Sequence, residues 1–289
     1  MDFKNAKELL ALCQEKKLPI SEVMRQREIL LGETTAESRG PAHGPCSGDH
    51  EGCCFFPIKD PVISMGGLIG GEARKLCEFH DLGKSLCGNV LGKGITYAMA
   101  TLETNASMGL IVASPTAGSA GIVPGMMLAL QEVYGFSDKK IRQALFNAGA
   151  IGYLAMRNAT VAGAVGGCQA EVGIASAMAA SAAVELLGGT PLQCTYAAST
   201  VLMNMLGLVC DPVGGLVEYP CQNRNAAGVS NALIAAEMSL AGIPQFIPLD
   251  EMIDAMYTVG KKLPAELRET ALGGCAATPS ACEKCHLCS

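Results

Sequence analysis

Residues 173–187 read GIASAMAASAAVELL, a stretch in which Ala175, Ala179 and Ala183 recur every fourth residue and only Glu185 is charged. At the period of an α-helix this leaves no polar face, so the segment suits an interior helix whose small side chains let neighbouring backbones come close. The property extends well beyond this stretch. Thr104 to Leu130 and Leu186 to Cys210 contain no charged residue, and from Met65 onward the chain is rich in Gly, Ala, Ser and Met. Length alone permits either charge-free stretch to cross a bilayer. The first, however, holds Asn105, Ser107, Ser114, Pro115, Thr116, Ser119 and Pro124, and the second holds Pro191, Gln193 and Asn204. Lipid penalises that polar load, and buried helices of a soluble core fit better.

Three regions are expected. Residues 1–33 read as two short amphipathic helices, with Leu9, Leu10, Leu12 and Cys13 on one face, a break at Pro19 and Ser21 as the cap of the second. Residues 34–61 contain SRGPAHGPCSGDHEGCCFFPIKDP, which mixes Pro, Gly, His and Cys without a period and reads as an irregular loop. No function is assigned there to His43, Cys46, His50, Cys53 or Cys54. Residues 62–289 form the main helical region with a cysteine-rich tail. Within it Ser137 should cap a helix from Asp138 to about Met156, and further helices are expected at Leu249 to Gly260 and Pro264 to Leu272. A strand at 109–113 (GLIVA) is compatible with the pattern.

With 21 Lys plus Arg against 27 Asp plus Glu the net charge is −6, and there are 4% aromatics and no Trp. Such a chain offers neither a basic field for phosphates nor stacking platforms, so nucleic acid is not an expected partner. The N-terminus, MDFKNAKELLALCQEKK, has no uninterrupted apolar core of a secretory signal, and a cytoplasmic location is expected. In a reducing compartment the 14 cysteines are not a disulfide framework, which leaves metal binding, catalysis or burial.

Cys168 in GGCQAE, Cys210 in CDPVGG and Cys221 in PCQNRNA are all flanked by Gly or Pro. Thiolates that hold a metal cluster need close backbone approach and amides aimed at sulfur, which such loops supply; plain buried cysteines satisfy the same spacing. The tail, CEKCHLC at 282–288, is a C-x2-C-x2-C run with His286 inside it, readable as a metal site or as a frayed terminus. ETNASMG at 103–109 and SPTAGSAG at 114–121 present small hydroxyl and amide groups suited to a zwitterionic amino acid, or equally to turns and caps. Lys84 and Arg224 are the cations beside these motifs, and either suits a substrate carboxylate. No GxGxxG or P-loop spacing is present.

Together ETNASMG, SPTAGSAGIVPG, GGCQAEVG, MLGLVCDPVGGLVEYPCQNRNA, DEMIDAMYTVGKKLP and LRETALGG resemble, in order and spacing, the α chain of the two-chain bacterial iron–sulfur-dependent L-serine dehydratases. The resemblance covers roughly residues 1–33 and 58–279 and is interrupted by the irregular stretch between them. It implies an all-α catalytic chain and a [4Fe–4S] cluster held by Cys168, Cys210 and Cys221, with one iron open to substrate. The reaction it implies is conversion of L-serine to pyruvate and ammonia. Hydroxide is a poor leaving group and the Cα proton is weakly acidic, so elimination needs a Lewis acid and a base. Lys84, if desolvated, is the candidate base, with a tail thiolate as runner-up. Asn105, Ser107, Thr116, Ser119 and Arg224 are the candidate substrate contacts. In some relatives a C-terminal cysteine closes the fourth cluster position; Cys275, Cys282, Cys285 and Cys288 are available here, and Cys282 is assigned. The family's smaller chain, similar to an ACT-type regulatory module, is absent from this sequence, so a β-chain partner is expected. The alternatives are a lyase acting on cysteine or threonine, a pyridoxal phosphate enzyme using Lys84 or Lys93, and a non-catalytic iron–sulfur protein built on the tail.

Overall fold

The computed structural model describes residues 2–32 and 55–285. Among them there is no strand; the only sheet-like pairing is a single parallel bridge between Cys210 and Arg268. The all-α expectation therefore holds. His43, Cys46, His50, Cys53 and Cys54, like His286 and Cys288 of the tail, lie outside the described residues.

The chain opens with α1 (Ala6–Lys16), whose first turn is capped by the Asn5 side chain accepting the Glu8 amide, and α2 (Ile20–Leu31). Pro19, not Ser21, occupies the capping position of α2; the Ser21 amide, inside the first turn, donates to Glu185. A short turn, α3 (Phe56–Lys59), leads to α4 (Glu72–Asp81) and the long α5 (Gly88–Ala106). Then come α6 (Ile122–Tyr134), α7 (Asp138–Asn158) and the single turn α8 (Gly163–Gly166). A π-type turn, Gln169–Gly173, runs into α9 (Ile174–Leu186), followed by α10 (Pro191–Asn204), α11 (Cys221–Leu240), α12 (Leu249–Lys262) and α13 (Pro279–Lys284).

The helix without a polar face is the hub. α9 packs against α6, α7, α10 and α11, and Ala175, Ala179 and Ala183 are wholly buried. Close approach recurs between α5 and α6, where a Cβ on Gly125 would stand 2.7 Å from the Gly94 carbonyl oxygen. Larger side chains there would force the helices apart. Among the described residues no helix is long and apolar enough to cross a membrane.

One expected helix is absent, and the strand that the pattern allowed does not form. Residues 110–113 carry no helix, turn or bend and make no backbone hydrogen bond among the described residues, while Gly109 donates to the Thr104 carbonyl at 2.8 Å, so GLIVA has strand-like composition without a sheet to join. Pro264 to Leu272 contains only the 3-10 turn Ala265–Leu267. Beyond it the chain is drawn alongside Cys210, whose carbonyl accepts the Glu269 amide at 2.6 Å and whose amide donates to the Leu267 carbonyl at 2.9 Å. Those bonds take the backbone groups that a helix would have used.

Candidate metal centre

Three cysteine-bearing segments come together around the π turn, with Cys168 at its N-terminal end. Cys168 follows Gly167, which has φ +76° and lies so close to Leu208 that a Cβ would stand 2.8 Å from its carbonyl oxygen, so glycine is required on both counts. Gln169 locks the turn in place. Its amide donates to the Leu208 carbonyl, its side-chain NH2 to the carbonyls of Gly166 and Met256, and its side-chain oxygen accepts the Gly207 amide. Cys210 is fixed by the bridge to 267–269, and Cys221 opens α11. All three thiols are buried and none is in a disulfide.

The Sγ atoms of Cys168 and Cys210 and a carboxylate oxygen of Glu171 lie within 4.8 Å of one another, with Cys210 Sγ 3.6 Å from Glu171 Oε2. Cys168 is the acidic member of the thiol pair: the hydrogen bond with Cys210 lowers it against the cost of burial, and Arg224 adds to the effect. Cys210 is raised by the same hydrogen bond and by burial. Cys221 is pushed up to about 12 by burial and by the negative fields of Cys168 and Glu171, which places it in the same electrostatic group. Burial also raises the Glu171 carboxyl, with Glu269 adding to the shift and a hydrogen bond from Thr116 opposing it.

The backbone approaches these atoms closely at Gly163, and at Gly118 it leaves room for ordinary contact only. A Cβ on Gly163 would lie 2.5 Å from Glu171 Oε2 and 2.9 Å from Cys210 Sγ, and one on Gly118 would lie 3.5 Å from Glu171 Oε1. Gly118 belongs to the 114–121 loop, which the wholly buried Asn225 pins to α11. The Asn225 NH2 donates to the carbonyls of Gly118 and Cys221, each at 2.8 Å, and its oxygen accepts the Gly121 amide at 3.0 Å. Thr116 and Ser119, whose hydroxyls are 3.1 Å apart, are thereby brought to Glu171 and the thiols.

Other expected residues fall elsewhere. Asn105 and Ser107 end α5, and the Ser107 hydroxyl donates to the Thr104 carbonyl at 3.1 Å; no hydrogen bond among the described residues joins either to the thiols. Arg224 is adjacent but engaged: Nη1 is 2.7 Å from Asp211 Oδ1 and donates to the Val209 carbonyl at 2.8 Å, and the side chain also bonds Cys168. Its guanidinium braces the thiol pocket through these contacts. Lys84 is exposed in the turn before α5, at the opposite end of that helix from Asn105. Lys93 pairs on the surface with Glu132 at 2.7 Å.

In the tail, Cys282 is exposed, with its sulfur 3.7 Å from the Ala276 carbonyl. Cys275 is held closer to the pocket, its amide donating to Asp211 Oδ2 at 2.6 Å. Burial opposes ionisation of Asp211, but this amide and Arg224 outweigh it and lower its pKa. Among the described residues the tail cysteines form no metal-holding group of their own. Glu171, Asp211 and Asn225 were not singled out from the sequence. The signals were present: Glu171 is three residues after Cys168 and Asn225 four after Cys221, the spacings that share a helix face.

The family model for the serine dehydratase alpha chain matches residues 52–276. The chain is 49% identical over 278 residues to the probable L-serine dehydratase, alpha chain, of Bacillus subtilis, covering 96% of this chain and 92% of that one. It is 43% identical over 271 residues to the L-serine dehydratase, alpha chain, of Peptoniphilus asaccharolyticus, covering 94% and 93%. The L-serine dehydratase of Helicobacter pylori (strain J99) is 35% identical over 281 residues. That match spans 96% of this chain but only 62% of the longer relative, leaving about two fifths of it without a counterpart here.

Proposed function

The chain belongs to the serine dehydratase alpha chain family, and from that premise we propose that it is the catalytic α chain of an L-serine dehydratase, a lyase forming pyruvate and ammonia. A [4Fe–4S] cluster held by Cys168, Cys210 and Cys221 is part of the proposal. The donor set suits it: the thiols, soft ligands for iron, are buried, and those of Cys168 and Cys210 meet where the Gly163 backbone approaches closely. When bound, such a cluster supplies a Lewis-acidic iron that turns the serine hydroxyl into a competent leaving group.

The protein supplies the rest. Glu171 is the ionisable oxygen group among the thiols, and we assign it the removal of the Cα proton in place of Lys84. Thr116 holds the carboxylate by its hydrogen bond, Ser119 holds Thr116, and Asn225 fixes the loop that carries both. Asn105 and Ser107 remain the proposed contacts for the serine ammonium and carboxylate. Loss of the Cα proton and the hydroxyl, as water, leaves aminoacrylate, which tautomerises and hydrolyses to pyruvate and ammonia. For the fourth cluster position the tail offers Cys282, whose sulfur now rests on the Ala276 carbonyl, and Cys275, which Asp211 already anchors beside the pocket. A β chain with an ACT-type regulatory module completes the enzyme, in the cytoplasm. Serine is favoured over threonine or cysteine by the names of the relatives; one methyl group in a pocket is worth about 1–3 kcal/mol.

The observation that carries the proposal is the buried meeting of two cysteine thiols with Glu171. Purified without oxygen together with its β chain, the protein should release pyruvate and ammonia from L-serine in equal amounts and lose that activity when iron is chelated away. Turnover that survives complete iron removal, or a chromophore that borohydride discharges, would support the pyridoxal reading instead.

A further inference from the structure

Beside the thiol pocket lies a surface that the proposed reaction does not use. Ile63, Met65, Met108, Leu110 and Val112 are each between 74% and 86% exposed. The two segments that carry them are neighbours, the Met65 amide donating to the Ala106 carbonyl at 2.9 Å. Both also lead to the pocket. Glu218, three residues before Cys221, holds the first by accepting from the Ser64 hydroxyl and the amides of Gly66 and Leu68. The second continues directly into the loop of Thr116 and Ser119. Serine is a small zwitterion with no use for five exposed aliphatic groups, and an apolar patch of this kind marks an interaction site.

The main chain points the same way. Among the described residues no amide or carbonyl of 110–113 makes a backbone hydrogen bond, and the side chains there, Leu, Ile, Val and Ala, include the β-branched types that sheets favour. An uncharged segment without helix, turn or bend, its backbone unpaired among these residues, is a template for a strand from another chain. We propose that residues 62–65 and 108–113 are the docking surface for the β chain, which lays a strand against 110–113 and covers the apolar side chains at the pocket's edge. The inference rests on the two-chain reading above. The length comparison supports this occupant: about two fifths of the Helicobacter pylori relative lies outside its match to this chain. No charge occurs between Thr104 and Leu130, so the covering face is expected to be neutral and apolar. Docking there would also set the loop that carries Thr116.

The test uses the anaerobically purified α/β complex and the doubly substituted Leu110→Asp/Val112→Asp chain, with Leu86→Asp, an exposed position at the start of α5, as control. The double variant should keep the iron content and thermal midpoint of the α chain while its affinity for the β chain falls by about thirtyfold or more. Leu86→Asp should leave affinity unchanged. In the wild-type complex the amides of 110–113 should exchange more slowly than in the α chain alone. Unchanged affinity in the double variant overturns the surface while leaving the two-chain reading intact. Protection that grows with α-chain concentration in the absence of the β chain assigns the face to a second copy and overturns the proposal. A wild-type chain that binds no β chain overturns both.

Discussion

Replacing Glu171 by Gln is expected to lower pyruvate formation by about 10²- to 10⁴-fold while iron content stays at the wild-type level. The substitution keeps the shape of the side chain and an oxygen to accept from Thr116, and it replaces the basic, charged carboxylate by a neutral amide. Stability should not fall. Burial raises the Glu171 carboxyl above the ordinary carboxylate value, so its contribution is present at low pH and is lost as pH rises through the folded pKa. Above the folded pKa the buried charge is therefore a cost, and a neutral amide relieves it. The pH profile separates a base from a merely structural group: wild-type turnover should rise with an acid limb above the usual carboxylate range, and the variant should lose that limb. Loss of iron together with activity would instead make Glu171 part of the scaffold of the pocket.

Replacing Arg224 by Met is expected to destabilise the α chain by about 3–5 kcal/mol, because it strands the Asp211 carboxylate in the interior. The Asp211 side chain is 3% exposed, and Arg224 is its counter-charge at 2.7 Å. Asp211 also accepts the Cys275 amide, so the strain should reach the tail as well as the thiols. Changing Asp211 to Asn in the same chain should recover part of the loss, a coupling that a double-mutant cycle in denaturant would read out. Arg224→Lys should recover less than its charge suggests, since the planar fork serves Asp211, the Val209 carbonyl and Cys168 together. If Arg224 held the substrate carboxylate, KM would rise and stability would not change.

The contrast between Arg224 and Cys210 shows what a single sequence carries. The interior helix 174–186 was legible because alanine at every fourth position excludes other folds locally, and the cysteines stood out through their Gly and Pro neighbours. Arg224 looked available because nothing in CQNRNA reveals that Asp211, 13 residues earlier, returns to meet it across the pocket. Lys84 looked available for the same reason: its exposure at the far end of α5 is a property of the fold. GLIVA at 109–113 has the composition of a strand, but a strand exists only where a partner strand supplies hydrogen bonds, and the described residues supply none to 110–113. Glu171 and Asn225 lay inside motifs already noticed. Their roles required the 114–121 loop to be seen docked on α11.

The most direct test of the central claim is the quantification of iron and acid-labile sulfide, alongside pyruvate formation from L-serine, in the anaerobic α/β complex of the wild type and of Cys210→Ser. The wild type should hold about four irons and four sulfides per α chain, and the variant should lose the cluster and the activity together. A variant that keeps full activity, or an active wild type free of iron, would contradict the assignment of Cys168, Cys210 and Cys221 as the ligands of a catalytic cluster.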